Sequence, residues 1–279
     1  MNTLSIYLHW PFCLSKCFYC DFNSYAVAAI DQDIWRQSFL TELKYFSQQL
    51  PDRTIDSIFF GGGTPSTMAE ETIVAILDAV FRYWKISKTI EITIEANPDT
   101  IDKYRLLAFR NAGINRISIG LQALDDNDLR FLGRHHNLKQ GLIAYELSRK
   151  IFPKTSFDLI YARPNQTPSS WYKELQHAIA MDVDHLSLYQ IIIEPRTALY
   201  RKYISGNFQL PSEDMEVEMF NLTRKLTEEH GLFSYEISNF ALPNAKCLHN
   251  LLCWEGNDYL GIGPGAHSRI TDRFGVVWS

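Results

Sequence analysis

Segments of strand length alternate with segments of helix length along most of the chain, and few folds accept that order. Leu4 to Trp10, Ile55 to Phe60, Thr89 to Glu95, Ile114 to Leu121, Thr155 to Tyr161 and His185 to Ile193 read as strands, rich in β-branched and apolar residues. Between them lie helical patterns. Ile30 to Leu50 aligns Trp35, Phe39, Leu43, Phe46 and Leu50 on one face, and Pro51 stops it. Ala69 to Trp84 follows, then a helix capped by Asp99 or Thr100 and running to Ala112, two short helices within Asp126 to Lys150, and Ser169 to Met181. A long helix from Ser212 to His230 and a strand from Phe233 to Ile237 come last. Strands apolar on both faces belong to a buried parallel sheet, so the class is α/β, either doubly wound or a barrel.

The placement of unusual residues favours the barrel. A cysteine triplet, the run Gly61-Gly62-Gly63, Glu95, Gln122 and Asp158 each fall at or near the end of a different predicted strand. Barrel enzymes gather their chemistry at the C-terminal ends of their strands.

The triplet is Cys13-Leu14-Ser15-Lys16-Cys17-Phe18-Tyr19-Cys20, or C-x3-C-x2-C. Three thiolates this close suit an iron–sulfur cluster or zinc. A structural zinc takes four protein ligands, and no fourth Cys or His follows within a few residues. A cubane held by three thiolates leaves one iron open to a further ligand. A structural metal domain remains the bland alternative. Phe60-Gly61-Gly62-Gly63-Thr64-Pro65 reads either as a tight turn or as backbone aiming its N–H groups at a ligand. It lacks the G-K-S/T of a P-loop.

The remaining two of the five cysteines are Cys247 and Cys253. An odd, clustered count is no secreted disulfide framework and points to a reducing compartment, expected to be the cytoplasm. The net charge of −5 argues against nucleic acid as the main partner. No signal-peptide pattern opens the chain, and no run of about 18 apolar residues marks a membrane span, which leaves only peripheral membrane contact open.

The stretch from Tyr7 through Cys20 to Ser24 resembles the radical S-adenosylmethionine (SAM) enzymes, and most closely the HemW proteins, relatives of the oxygen-independent coproporphyrinogen III dehydrogenase HemN. That resemblance implies an open (β/α)6 partial TIM barrel over residues 1–239. It implies a 4Fe–4S cluster on Cys13, Cys17 and Cys20, with SAM on the open iron. Tyr7, Gly62, Gly63, Thr64, Glu95, Gln122, Arg134 and Asp158 match the family's SAM site. Residues 240–279 look like the loop-rich start of a C-terminal region that is truncated relative to the family.

Within that region, Cys247-Leu248-His249-Asn250-Leu251-Leu252-Cys253-Trp254 matches H-N-x-x-Y-W, a motif associated with haem binding, with Cys253 in the Tyr position. His249 is therefore the expected haem contact; otherwise it is a loop residue bonded to backbone. His135 and His136 are expected at the surface or at a helix cap. Where relatives read D-L-I-Y-G-L-P, the chain has Asp158-Leu159-Ile160-Tyr161-Ala162-Arg163-Pro164, so the loop must shift or tolerate a Cβ and a charge. The function implied is a haem chaperone that hands haem to an acceptor protein. The alternative is a coproporphyrinogen III dehydrogenase, disfavoured because Asp21-Phe22-Asn23 stands where HemN carries a further cysteine.

Overall fold

The computed structural model describes residues 3–271 and the backbone of 277–278; residues 272–276 and 279 of the C-terminal stretch lie outside it. Six parallel strands lie side by side in chain order: β1 (Thr3–Trp10), β2 (Thr54–Gly62), β3 (Lys85–Ala96), β4 (Arg116–Gln122), β5 (Lys154–Tyr161) and β6 (His185–Gln190). They are linked by α1 (Gln32–Gln49), α2 (Glu70–Tyr83), α3 (Lys103–Ala112), α4 (Asp126–Leu132), α5 (Leu138–Ile151) and α6 (Pro168–Ile179). A doubly wound sheet reverses its strand order at a switch point. Here the order never reverses, so crossovers of one hand put the helices on one face, and the sheet curls into an open partial barrel.

After β6 come α7 (Ala198–Ile204), α8 (Glu213–Glu229), β7 (Phe233–Ser234), β8 (Asn239–Ala241), α9 (Leu248–Trp254) and β9 (Tyr259–Ile262). β8 runs antiparallel to β6, and β7 antiparallel to β8. β9 returns to the opposite edge and pairs parallel with β1, which gives the nine-stranded order β9-β1-β2-β3-β4-β5-β6-β8-β7. The loop-rich stretch thus supplies pairing at both edges of the sheet.

The outer face of the sheet packs against the helices. Trp10, Phe39, Phe60, Ile73, Phe109 and Trp171 are fully buried there, each stabilising by about 1.5–3 kcal/mol. The inner face corrects the expectation of strands apolar on both sides. Thr93, Arg116, Ser118, Ser156, His185 and Ser187 line a narrow polar lumen, recurring at every second position of their strands.

Three local expectations change as well. Pro98–Thr100 forms a 3-10 turn, so Asp102 and not Asp99 or Thr100 caps α3, accepting the Arg105 N–H at 2.8 Å. β6 ends at Gln190. The strand expected over Phe233 to Ile237 shrinks to two residues because the Glu236 carboxylate accepts the Ser238 N–H and closes a turn. Among the described residues no helix is long and apolar enough to cross a membrane.

Candidate functional site

A cavity of ≈ 370 Å³ opens at the C-terminal ends of the strands. Cys13, Cys17, Cys20, Gly62, Gly63, Thr64, Glu95, Gln122, Arg134 and Asp158 all line it. The cysteine loop leaves β1 and folds back on itself. The Tyr25 N–H donates to Pro11 O (2.7 Å), the Val27 N–H donates to Cys13 O (3.1 Å), and Lys16 Nζ bonds the carbonyls of Phe22 (3.0 Å) and Ser24 (3.1 Å).

The glycine run braces this loop. The Gly63 N–H donates to Trp10 O (2.6 Å) and the Thr64 N–H to Phe12 O (2.8 Å). These two amides are therefore not turned toward a ligand, and of the two readings of the run the tight turn holds for them; they hold the approach to Cys13. Gly62 has φ +109°, and a Cβ there would fall 2.8 Å from Trp10 O. Only glycine lets β2 end so close to β1.

Burial raises the Cys13 and Cys20 thiols above their ordinary range, and hydroxyls oppose the rise: Thr64 and Ser24 at Cys13, Ser24 at Cys20. Arg134 Nη1 donates to Cys17 Sγ at 3.2 Å, while its Nη2 bonds Asn97 Oδ1 (2.7 Å) and Gly120 O (2.8 Å). A fixed cation thus stands beside a thiol that must ionise to bind metal. Among the described residues no three His, Cys, Asp or Glu side chains close tightly enough for a single metal ion. Three thiols in the lining of one cavity, with a guanidinium beside one of them, are a donor set that fits an iron–sulfur cluster.

Deeper in the cavity stand two carboxyl groups. Burial, then the charge of Asp158, pushes Glu95 up to about 8, although the Gly62 N–H opposes the shift. Burial lifts Asp158 to about 6 against hydrogen bonds from Ser187 and Ser118, the latter at 3.2 Å. The cavity therefore offers thiols at one wall, a cation between, and carboxyls on the floor. Sequence reasoning missed Asn97 and Ser118. Asn97 ties Arg134 to Thr64, whose Oγ1 accepts from Asn97 Nδ2 at 3.2 Å; its signal was its place two residues after Glu95.

Two of the expected residues lie outside the cavity lining. Tyr7 sits on β1 below it and hydrogen-bonds His9 Nδ1 at 3.2 Å. His249 is on α9, 8% exposed, with its ring against Tyr7 and Phe59. It is therefore not a loop residue bonded to backbone. His136 is not at the surface either: it is buried, with Nε2 3.2 Å from Leu121 O, while His135 is exposed. The divergent loop after β5 tolerates both of its substitutions. Ala162 adopts φ +60°, and the Arg163 side chain turns inward to bond Asp128 and Glu174.

Residues 7–178 match the family model of the radical SAM superfamily. The chain is 39% identical over 267 residues to the zebrafish (Danio rerio) mitochondrial radical S-adenosyl methionine domain-containing protein 1, covering 95% of this chain and 60% of that protein. It is 35% identical to the heme chaperone HemW of Bacillus subtilis, covering 95% of this chain and 71% of that one. Among solved structures, the Escherichia coli coproporphyrinogen III oxidase HemN, a radical SAM enzyme, superposes with a TM-score of 0.81 at 25% identity, over 96% of this chain and 64% of HemN. The chain thus spans about 60% of the length of the mitochondrial relatives it matches.

Proposed function

The chain belongs to the radical SAM superfamily and, within it, to the HemW family, and on that premise we propose that it is a haem chaperone with a 4Fe–4S cluster on Cys13, Cys17 and Cys20 and SAM in the adjoining cavity. The observation that carries this reading is the union, in one cavity, of three thiols, the Arg134 guanidinium and the Glu95 and Asp158 carboxyls. An amino acid group carried by a sulfonium needs a cation for its carboxylate and an accepting carboxylate for its ammonium, and these side chains supply both. When bound, the cluster supplies the electron that cleaves SAM reductively. The protein's own work is positioning. Arg134 is clamped by Asn97 and Gly120 before any ligand arrives, and the lumen below the cavity is closed from the far end by α9.

Haem is assigned to the α9 segment, which carries His249, Cys253 and the 58%-exposed Trp254. His and Cys are both axial ligands to haem iron in general. The partner is a haem-accepting protein.

Anaerobic reconstitution tests the reading in two stages. The reconstituted protein should hold iron and sulfide and bind SAM. Loaded with haem, it should transfer haem to an apo-acceptor and should not consume coproporphyrinogen III. Turnover of the porphyrinogen without haem transfer would move the assignment to the HemN activity.

A further inference from the structure

Gln122 lines the cavity with a backbone that few residues adopt. Its φ is +71°, left-handed for a residue that carries a Cβ. The register of β4 with β5 shifts between Ile119 and Gln122, so the strand's regular ladder does not impose this conformation. Left free, a glutamine would relax toward the extended region.

The loop between α4 and α5 lies across the end of β4 and bonds two successive carbonyls there. Arg134 Nη2 donates to Gly120 O at 2.8 Å. His136 Nε2 is 3.2 Å from Leu121 O, and a carbonyl can only accept, so Nε2 carries the proton. His136 is 3% exposed, and its Nδ1 is buried without a hydrogen-bond partner. Burial, then the charge of Arg134, lowers His136 to about 4, so the donor is a neutral imidazole. α5 confines the ring from the other side: a Cβ at Gly141 would fall 2.9 Å from Leu121 Cδ2 and 3.4 Å from His136 Cδ2.

The peptide joining Leu121 to Gln122 is planar, so a bond to the Leu121 carbonyl fixes the plane from which the φ of Gln122 is turned. On the far side the Leu124 N–H is held by Glu174 at 2.8 Å. Between these two anchors the Gln122 side chain folds back over Gly120. A Cβ at Gly120 would fall 2.8 Å from Gln122 Nε2, 3.2 Å from Arg134 Nη2 and 3.3 Å from Asn97 Oδ1. The Gln122 amide therefore stands in the cavity wall with the clamped Arg134, and a return to extended backbone would carry it off that point.

We propose that His136 is a positioning residue for the SAM site: its hydrogen bond to the Leu121 carbonyl holds Gln122 left-handed and so keeps the Gln122 amide in the cavity wall beside Arg134. His136 itself lies outside the lining and acts only through Gln122. The inference rests on the reading of this cavity as a SAM site.

The experiment is a SAM titration of cluster-loaded protein, normalised to iron and sulfide content and read by the change in the cluster's electron paramagnetic resonance spectrum. It is run on wild type, His136→Leu, His136→Gln, Gln122→Ala and the double variant Gln122→Ala with His136→Leu. His136→Leu should bind SAM about three- to tenfold more weakly, the range that loss of one hydrogen bond produces. His136→Gln should stay within about twofold of wild type, because its amide nitrogen reaches as far along the side chain as Nε2 and can donate in its place. In the Gln122→Ala background, His136→Leu should change SAM affinity by less than about twofold, since the side chain it positions is gone.

Equal SAM affinity in wild type and His136→Leu overturns the inference, as does a His136→Gln protein as weak as His136→Leu. So does a His136→Leu change that costs the same factor with and without the Gln122 side chain, which would place its effect on Arg134 or on the fold at large. Absence of SAM binding in cluster-loaded wild type overturns the proposed function and this inference with it. Should His136→Leu fail to load a cluster, His136→Asn replaces it. Its amide is one methylene short of the Leu121 carbonyl, so the same weakening is expected, and SAM affinity equal to that of His136→Gln overturns the inference.

Discussion

Arg163 Nη2 lies 2.6 Å from Glu174 Oε2, inside the protein, with the arginine side chain only 2% exposed. The same nitrogen reaches Asp128 Oδ2 at 2.8 Å. Glu174 spends its other oxygen on the Leu124 N–H (2.8 Å), and Gln166 Nε2 donates to the first at 3.0 Å. One buried guanidinium thus ties α4 and α6 to the loop after β5 and, through Glu174, to the loop after β4. This is how the loop after β5 holds a buried charge.

Removing one partner of such a pair strands the other. Arg163→Ala should destabilise the protein by about 3–5 kcal/mol, because Glu174 is left buried without its cation. The double change Arg163→Met with Glu174→Met should cost clearly less than the sum of the two single changes. Urea unfolding of Arg163→Ala and of the two single and one double methionine variants measures this, and additive losses in the methionine set would show that the two side chains act independently.

The cysteines divide by place. Cys13, Cys17 and Cys20 line the cavity, whereas Cys247 is buried at the start of α9, where dehydration pushes its thiol up to about 12. A thiol so reluctant to ionise is a poor metal ligand. Alanine at any of the first three should abolish the cluster, and alanine at Cys247 or Cys253 should leave iron and sulfide content unchanged. Chemical analysis after anaerobic reconstitution decides, and a Cys17→Ala protein with full iron and sulfide would defeat the assignment.

The sequence made the barrel and most of its cavity legible, because periodicity marks the strands and the rare residues cluster at their ends. Glu95, Gln122, Arg134 and Asp158 line one cavity with the thiols. What stayed hidden depends on contacts far apart in the chain. Nothing near Tyr259 announces that it pairs parallel with Ser5. The burial of His136 follows from α5 lying over β4, where the Leu121 carbonyl awaits a donor. The amides of Gly63 and Thr64 are taken by Trp10 and Phe12, which a glycine-rich turn read in isolation cannot foretell.

Gly133 should matter through Phe18. It has φ +77°, and a Cβ there would fall 2.9 Å from the Phe18 ring. Phe18 is clamped on both sides: its N–H donates to Leu132 O (3.1 Å), its carbonyl accepts the Leu199 N–H (2.7 Å), and Lys202 Nζ stands 4.0 Å from the ring centroid. Gly133→Ala should cost about 1–3 kcal/mol from backbone strain plus crowding. It should also loosen the loop that presents Cys17 and Cys20. Adding Phe18→Ala should return the crowding part but not the strain. Thermal unfolding of the single and double variants measures both, and a Gly133→Ala protein as stable as wild type would remove Phe18 as the reason for the glycine.

Glu95 should make the cofactor-free protein less stable as pH rises. Its carboxyl, lifted by burial and then by Asp158 to about 8, keeps its proton in the folded state where an unfolded glutamate, near 4.3, has lost it. Between about pH 4.5 and 8 the folded state therefore binds more protons than the unfolded state. Stability must then fall with rising pH, by at most about 1.4 kcal/mol per unit from this group. Asp158, lifted to about 6, adds to the fall only at the acid end of that window. From pH 6 to 8 the decline should therefore belong mainly to Glu95, and Glu95→Gln should flatten it. A ligand ammonium beside Glu95 favours the carboxylate, so SAM binding near pH 7 should release a proton from the wild type and not from the variant. Urea midpoints at pH 6, 7 and 8 test the first statement, and calorimetry in two buffers of different ionisation enthalpy tests the second. Parallel stability curves for the two proteins would show that Glu95 is already ionised in the folded state.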